Sequence, residues 1–68
     1  MKSEAQKLGS NLKKIRTKKS ISQGDIARSL NVARSFVSDI ENGKRNPTLT
    51  TITKLAEAIG VSTSELLK

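Results

Sequence analysis

The run Ala33-Arg34-Ser35-Phe36-Val37-Ser38-Asp39-Ile40-Glu41-Asn42, closed by Gly43, constrains this 68-residue chain more than any other. Wound as an α-helix at about 100° per residue, it places Arg34, Ser35, Ser38, Asp39 and Asn42 on one arc. Phe36, Val37 and Ile40 fall on the opposite arc. A helix this short holds only where a neighbour covers its apolar side. The rest of the chain must therefore supply that cover. The polar side is unusual in kind, with one Arg, two hydroxyls, an Asp and an amide in place of a Lys/Glu mixture. Such groups read base edges in a major groove. A plain solvated helix face is the alternative.

Cover has to come from aliphatic side chains, because Phe36 is the only aromatic residue. Cysteine and histidine are absent, which removes disulfides and any metal site built on thiolate or imidazole. No cofactor is implied. A chain of this size buries only about 60% of its unfolded surface. One domain spanning residues 1–68 is expected, with a dimer contact as a possible source of added stability.

Charge is lopsided. Residues 1–45 hold 11 Lys/Arg and 4 Asp/Glu, whereas residues 46–68 hold two of each sign, so the whole net charge of +7 sits in the first part. Excess of this kind points to a polyanionic partner. A membrane surface fits poorly, since a membrane-seeking helix sets bulky apolar residues opposite its basic face. No run is long enough to span a bilayer, and no signal peptide is visible. A cytoplasmic protein is expected.

In chain order, Met1 and Lys2 lead loosely into Ser3, a candidate N-cap. Ala5, Leu8, Leu12 and Ile15 repeat at three- and four-residue steps, which predicts a helix over Glu4–Lys18. Its basic run Lys13, Lys14, Arg16, Lys18, Lys19 suits the negative end of the helix, or attracts phosphates. Ser22 and Asp25 make a capping box for a second helix ending near Leu30, with Ile26, Ala27 and Leu30 buried. Gly24 in its first turn costs about 1 kcal/mol relative to alanine, with no evident return. Asn31-Val32-Ala33 reads as a tight turn, Asn31 tolerating a left-handed backbone and Val32 plugging between helices. Helix, tight turn and polar-faced helix make a helix-turn-helix. Ala33 stands where a Ser or Thr cap is expected.

Gly43 suits the left-handed stop after the third helix. The basic loop Lys44-Arg45-Asn46-Pro47 leads to Thr48 as the next cap. Leu49, Ile52, Leu55, Ala56 and Ile59 form the stripe of a fourth helix stopped by Gly60. Val61 is expected to be buried. Ser62 and Glu65 make a capping box for a short fifth helix through Leu66 and Leu67. No strand alternation occurs. The expected fold is all-α: five helices, with the helix-turn-helix formed by the second and third. Glu41 is expected to pair with a basic residue of the first helix such as Arg16.

Ser22-Gln23, Ile26-Ala27, Leu30-Asn31-Val32, Val37, Ile40-Glu41-Asn42-Gly43, Arg45-Asn46-Pro47 and the ending Ala56, Ile59-Gly60-Val61, Leu66-Leu67 resemble the Cro/CI-type helix-turn-helix domain of phage repressors. The likeness spans nearly the whole chain. Leu12-Lys13-Lys14-Ile15-Arg16 and Arg34-Ser35-Phe36-Val37-Ser38 followed by Arg45-Asn46 look most like the controller proteins of restriction–modification systems. Antitoxin repressors and small phage regulators share most of these motifs.

The resemblance implies a transcription regulator bound as a homodimer to double-stranded DNA at a pseudo-palindromic operator, with the third helix in the major groove. Carried onto this sequence, the base readers are Arg34, Ser35, Ser38 and Asp39. Ser22, Gln23, Lys44, Arg45, Asn46 and Thr48 hold the DNA backbone, Gln23 also bracing the base-reading helix. Ile59, Val61, Leu66 and Leu67 make the dimer contact. Gly24 and Ala33 depart from the family's pattern, and Asp39 sets a carboxylate toward phosphates. Asp39 either accepts from cytosine N4 or partners a nearby cation; Phe36 either meets a thymine methyl or packs on the core.

A protein-interaction module of antitoxin type, with DNA binding secondary, is the alternative function. An enzyme is excluded by the missing histidine and cysteine and the absence of clustered carboxylates or a phosphate-cradling glycine loop. No small-molecule substrate is evident. Single-stranded RNA recognition favours aromatic stacking, which one Phe does not supply.

Overall fold

Local chemistry starts four of the five helices. In a computed structural model of the chain, which describes residues 3–68, the hydroxyls of Ser3, Ser22, Thr48 and Ser62 each accept a backbone N–H from the first turn they precede. Met1 and Lys2 lie outside the described residues. The elements are α1 (Glu4–Lys18), α2 (Gln23–Leu30), α3 (Arg34–Glu41), α4 (Leu49–Ile59) and α5 (Thr63–Leu67), with no strand among the described residues. Ser22 and Asp25 form the expected reciprocal box. Ser3 forms another with Gln6, which the sequence reading did not anticipate. At α5 only half of the expected box is present. Glu65 receives its cap from Ser62, but its carboxylate turns to Lys68 Nζ at 3.2 Å.

The stops are equally local. Asn31, Gly43 and Gly60 all take positive φ, at 58°, 72° and 72°. Asn is among the few side chains that visit this region, and glycine does so without penalty. Ser20 joins them at φ 60°, turning the chain after α1.

Packing assembles these pieces around Leu8, Leu12, Ile26, Val37, Ile40, Leu55, Ile59 and Leu66, which are all buried. Each such side chain contributes about 1.5–3 kcal/mol on burial. Helix α1 lies between α3 and α5, while α2 and α4 close the other side. The tightest approach is α1 on the end of α3. A Cβ on Gly9 would sit 2.2 Å from the Ile40 carbonyl oxygen and 2.7 Å from that of Glu41. Only glycine lets the two backbones come so close.

Three apolar expectations change. Leu49 was expected on the buried stripe of α4, but it is 77% exposed. It occupies the first helical position, one turn before Ile52 reaches the core. Ile59 and Leu66 were expected at a dimer seam, yet they are 2% and 0% exposed within this chain. Both contribute their area to the chain's own core and have none left for a partner. Val61 is half-buried against that core, and Leu67 remains 49% exposed.

Candidate nucleic-acid interface

Helix α3 is held from behind. Val37 and Ile40 are fully covered, and Phe36 packs at the core's edge. The opposite side leaves Arg34 and Ser35 exposed, with Ser38 and Asp39 partly so. The four expected base readers thus share one outward arc, with Arg34 and Ser35 open to solvent and Asp39 partly covered by Arg45.

Orientation of Arg34 is transmitted through a chain of side chains that begins in the interior. Glu41 is almost fully buried and is met by Arg16 of α1 through two N–H donors, Nε to Oε2 and Nη2 to Oε1, the latter at 3.0 Å. Arg16 Nη1 also donates to the Ile21 carbonyl at 3.2 Å. The paired carboxylate raises the Arg16 pKa above its ordinary value, chiefly through the side-chain hydrogen bond. Leaving either charge alone inside a protein costs several kcal/mol, so the pair ties α1 to the end of α3 in one register. Gln23 then donates Nε2 to Glu41 Oε1 at 2.9 Å. That fixes which way its amide faces. Gln23 Oε1 points outward and accepts from Arg34 Nε at 3.5 Å. Gln23 thus links Arg34 at the head of α3 to Glu41 at its end.

Arg16, Ser22, Gln23, Gly24 and Arg34 surround a hollow of about 330 Å³ at the start of α2. Two guanidinium groups and an amide border it, Arg16 and the Gln23 amide also being engaged with Glu41. Donors of this kind hold an anion such as a phosphate. Gly24 forms part of the wall. A Cβ there would meet only ordinary contacts, Arg28 Nη1 and Ser22 Oγ at 3.6 Å each. The fold does not require glycine at this position, and its lack of a side chain leaves the hollow open. The sequence reading missed both the hollow and the place of Arg16 in its wall. The signal was present as an unexplained glycine directly after Gln23.

Beyond α3, Lys44, Arg45, Asn46 and Thr48 are exposed on the connection to α4. Thr48 Oγ1 is already engaged, accepting from Thr51 N at 3.2 Å. Arg45 folds back onto α3. Its guanidinium stands 4.8 Å from the centre of the Phe36 ring, and Nη2 lies 3.7 Å from Asp39 Oδ2. The carboxylate that sits awkwardly toward phosphates is thereby matched by a cation of the following loop. At Asp25, the Ser22 backbone N–H and then the Ser22 hydroxyl hold the carboxyl pKa below its ordinary value, with Arg28 adding to the effect.

Among the described residues, no group of histidine, cysteine, aspartate and glutamate could hold a metal ion, and no helix is long and apolar enough to cross a membrane.

The chain is similar to known regulators. The family profile described as "Helix-turn-helix" matches residues 12–66. The control protein C.MunI of Mycoplasma sp. is 39% identical over 61 residues, covering 88% of this chain and 82% of that protein. Among solved structures, the restriction–modification controller protein C.AhdI of Aeromonas hydrophila superposes with a TM-score of 0.86 at 39% identity, over 91% of this chain and 94% of that one. The controller protein C.Esp1396I, solved as a tetramer in complex with its natural 35 base-pair operator, superposes with a TM-score of 0.81 at 29% identity over 100% of both chains. With α2 and α3 arranged as the motif requires and residues 12–66 matching throughout, the chain belongs to the Cro/CI-type helix-turn-helix family of DNA-binding transcriptional regulators.

Proposed function

We propose that the protein binds a pseudo-palindromic operator as a homodimer, with α3 of each subunit in the major groove. The observation that carries this reading is the uncovered front of α3, headed by an Arg34 whose direction is set by Gln23 and Glu41. Arg34 forks onto the O6 and N7 of a guanine, a contact worth about 1–3 kcal/mol of discrimination. Ser35 and Ser38 add short hydroxyl contacts beside it. Asp39, matched by Arg45, either accepts from a cytosine or serves only to hold that loop. Ser22 and Gln23 at the hollow, with Arg16, and Lys44, Arg45, Asn46 and Thr48 beyond α3, grip phosphates on the two sides of the groove.

The dimer seam draws on Leu67 and Leu49, the large apolar side chains that stay exposed. Half-sites one turn apart are separated by about 34 Å.

Selection of bound duplexes from a random pool tests the proposal, using the wild type and Arg34→Ala. A palindrome with half-sites one turn apart is expected for the wild type, and Arg34→Ala should relax one base pair per half-site. If no palindrome is enriched, operator reading fails. Equal weakening on all sequences would instead make Arg34 a phosphate contact.

A further inference from the structure

The lysines of α1 do not all face the same way as α3. Gly9 and Arg16 point toward α3, as the close approach at Ile40 and the ion pair with Glu41 require. At about 100° per residue, Lys14 and Lys18 lie on nearly the opposite side of the helix. They border a separate groove between α1 and α5 of about 630 Å³. This is the size class of sites that receive a bulky organic group. Its floor is apolar, formed by Ile15 and Val61, both half-buried.

Two hydrogen bonds join the walls. Asn11 Nδ2 donates to the Leu66 carbonyl at 2.8 Å, tying α5 to α1. Lys19 Nζ reaches across to the Gly60 carbonyl at 3.5 Å. The rim is cationic, with Lys14, Lys18, Lys19 and Lys68 set against a single acid, Glu65. Lys68 already neutralises that acid. Lys14, Lys18 and Lys19 take part in none of the chain's ion pairs among the described residues.

We propose that this groove docks an acidic segment of a partner protein, one that seats an aliphatic or aromatic side chain between Ile15 and Val61 while its carboxylates meet Lys14, Lys18 and Lys19. Charge complementarity steers such an encounter, and an amphipathic segment laid in a groove is an established mode of recognition. The apolar floor distinguishes this occupant from nucleic acid, whose backbone meets cations without needing one. The groove lies across α1 from α3, away from the front that faces DNA in the proposed reading. The proposal does not depend on operator reading.

The test uses the full chain, isotope-labelled for amide-shift mapping, and two synthetic fluorescent helical peptides. One carries leucine on one face and glutamate on the other. Its sister has serine for leucine at equal charge. The leucine peptide should shift Asn11, Lys14, Ile15, Lys18 and Val61 and leave Arg34 and Ser35 unmoved. The sister on the wild-type chain, and the leucine peptide on Lys14→Glu/Lys18→Glu, should bind about tenfold more weakly by anisotropy, a difference equivalent to about 1.4 kcal/mol. Thermal melting of the double variant checks that it is folded. Equal binding of both peptides, or shifts spread over α3, would show attraction to charge alone and overturn the proposal. So would groove shifts caused by a short non-operator duplex in place of the peptide. Concentration-dependent self-association abolished by the double variant would give the groove to a second copy and equally overturn it.

Discussion

Helices α2 and α3 are each 8 residues long and follow one another across a single turn, yet they are stabilised by opposite means. Helix α2 carries its own instructions. Ser22 and Asp25 close its start reciprocally, and Asn31 in the left-handed conformation closes its end. Helix α3 has no side-chain cap at Ala33 and no acidic residue in its first turn. It is fixed instead by what surrounds it: Val37 and Ile40 buried behind, Gly9 beneath its last carbonyls, and Arg16 paired with Glu41. The comparison teaches where specificity resides in a helix that must offer its front to a partner. Its apolar side and its last turn are held by the neighbours, α1 above all, and its outward residues supply little of that support.

The strongest way to break that contrast is Gly9→Ala. The added methyl would meet backbone oxygens at 2.2 and 2.7 Å, and backbone has little room to yield. Overpacking of this kind costs about 1–3 kcal/mol. We expect that loss in urea unfolding, with amide shifts concentrated on Glu41, Gln23 and Arg34 along the chain of bonds that begins at α1. If the disturbance stays within α1, the dependence of α3 on it is wrong.

That residue also marks the limit of what the sequence discloses. Caps and stops are local, so Ser3, Ser22, Thr48, Gly43 and Gly60 could be placed from neighbours a few positions away. The pairing of Glu41 with Arg16 was legible too, since an acid inside an otherwise apolar seam needs a cation opposite. Gly9 was not. Its role depends on where the end of a distant helix falls, and no periodicity in α1 records that. The same limit explains Ile59 and Leu66, whose apolar character was evident while the surface covering them was not. Leu49 matched the stripe by spacing, but the core ends before its turn of α4. At the site, the outward arc of α3 followed from helical geometry alone. The hollow beside Gly24 required the placement of Arg16, Gln23 and Arg34 from three different elements.

The contrast is sharpened by removing the self-sufficiency of α2. Ser22→Ala should cost about 1 kcal/mol in urea unfolding at neutral pH. Asp25 adds a pH signature to the same cap. Its carboxyl pKa is lowered in the folded protein, chiefly by the Ser22 backbone N–H. Its contribution is therefore fully present above the unfolded value, about 3.9, and is lost as pH falls through the lower folded value. An Asp25→Asn protein should be less stable than wild type at neutral pH, and the gap should close under acid. A gap independent of pH would mean that the carboxylate is not what the cap uses.

The smallest expected effect comes from giving α3 what α2 already has. Ala33 is extended, at φ −70° and ψ 148°, the conformation of a capping residue. An Ala33→Ser hydroxyl there can accept a first-turn N–H without moving the chain. The gain should be about 1 kcal/mol or less. In a domain of this size, a gain of about 1 kcal/mol raises Tm by about 4–8 °C. Stability and DNA affinity should then part company. The new hydroxyl engages a donor at the end of α3 that would head into the groove under the proposed reading, so a protein that melts later should bind its operator no better. If affinity rose with stability, the start of α3 would have been limiting because it frays, and the support supplied by α1, Gln23 and Glu41 would not reach that far.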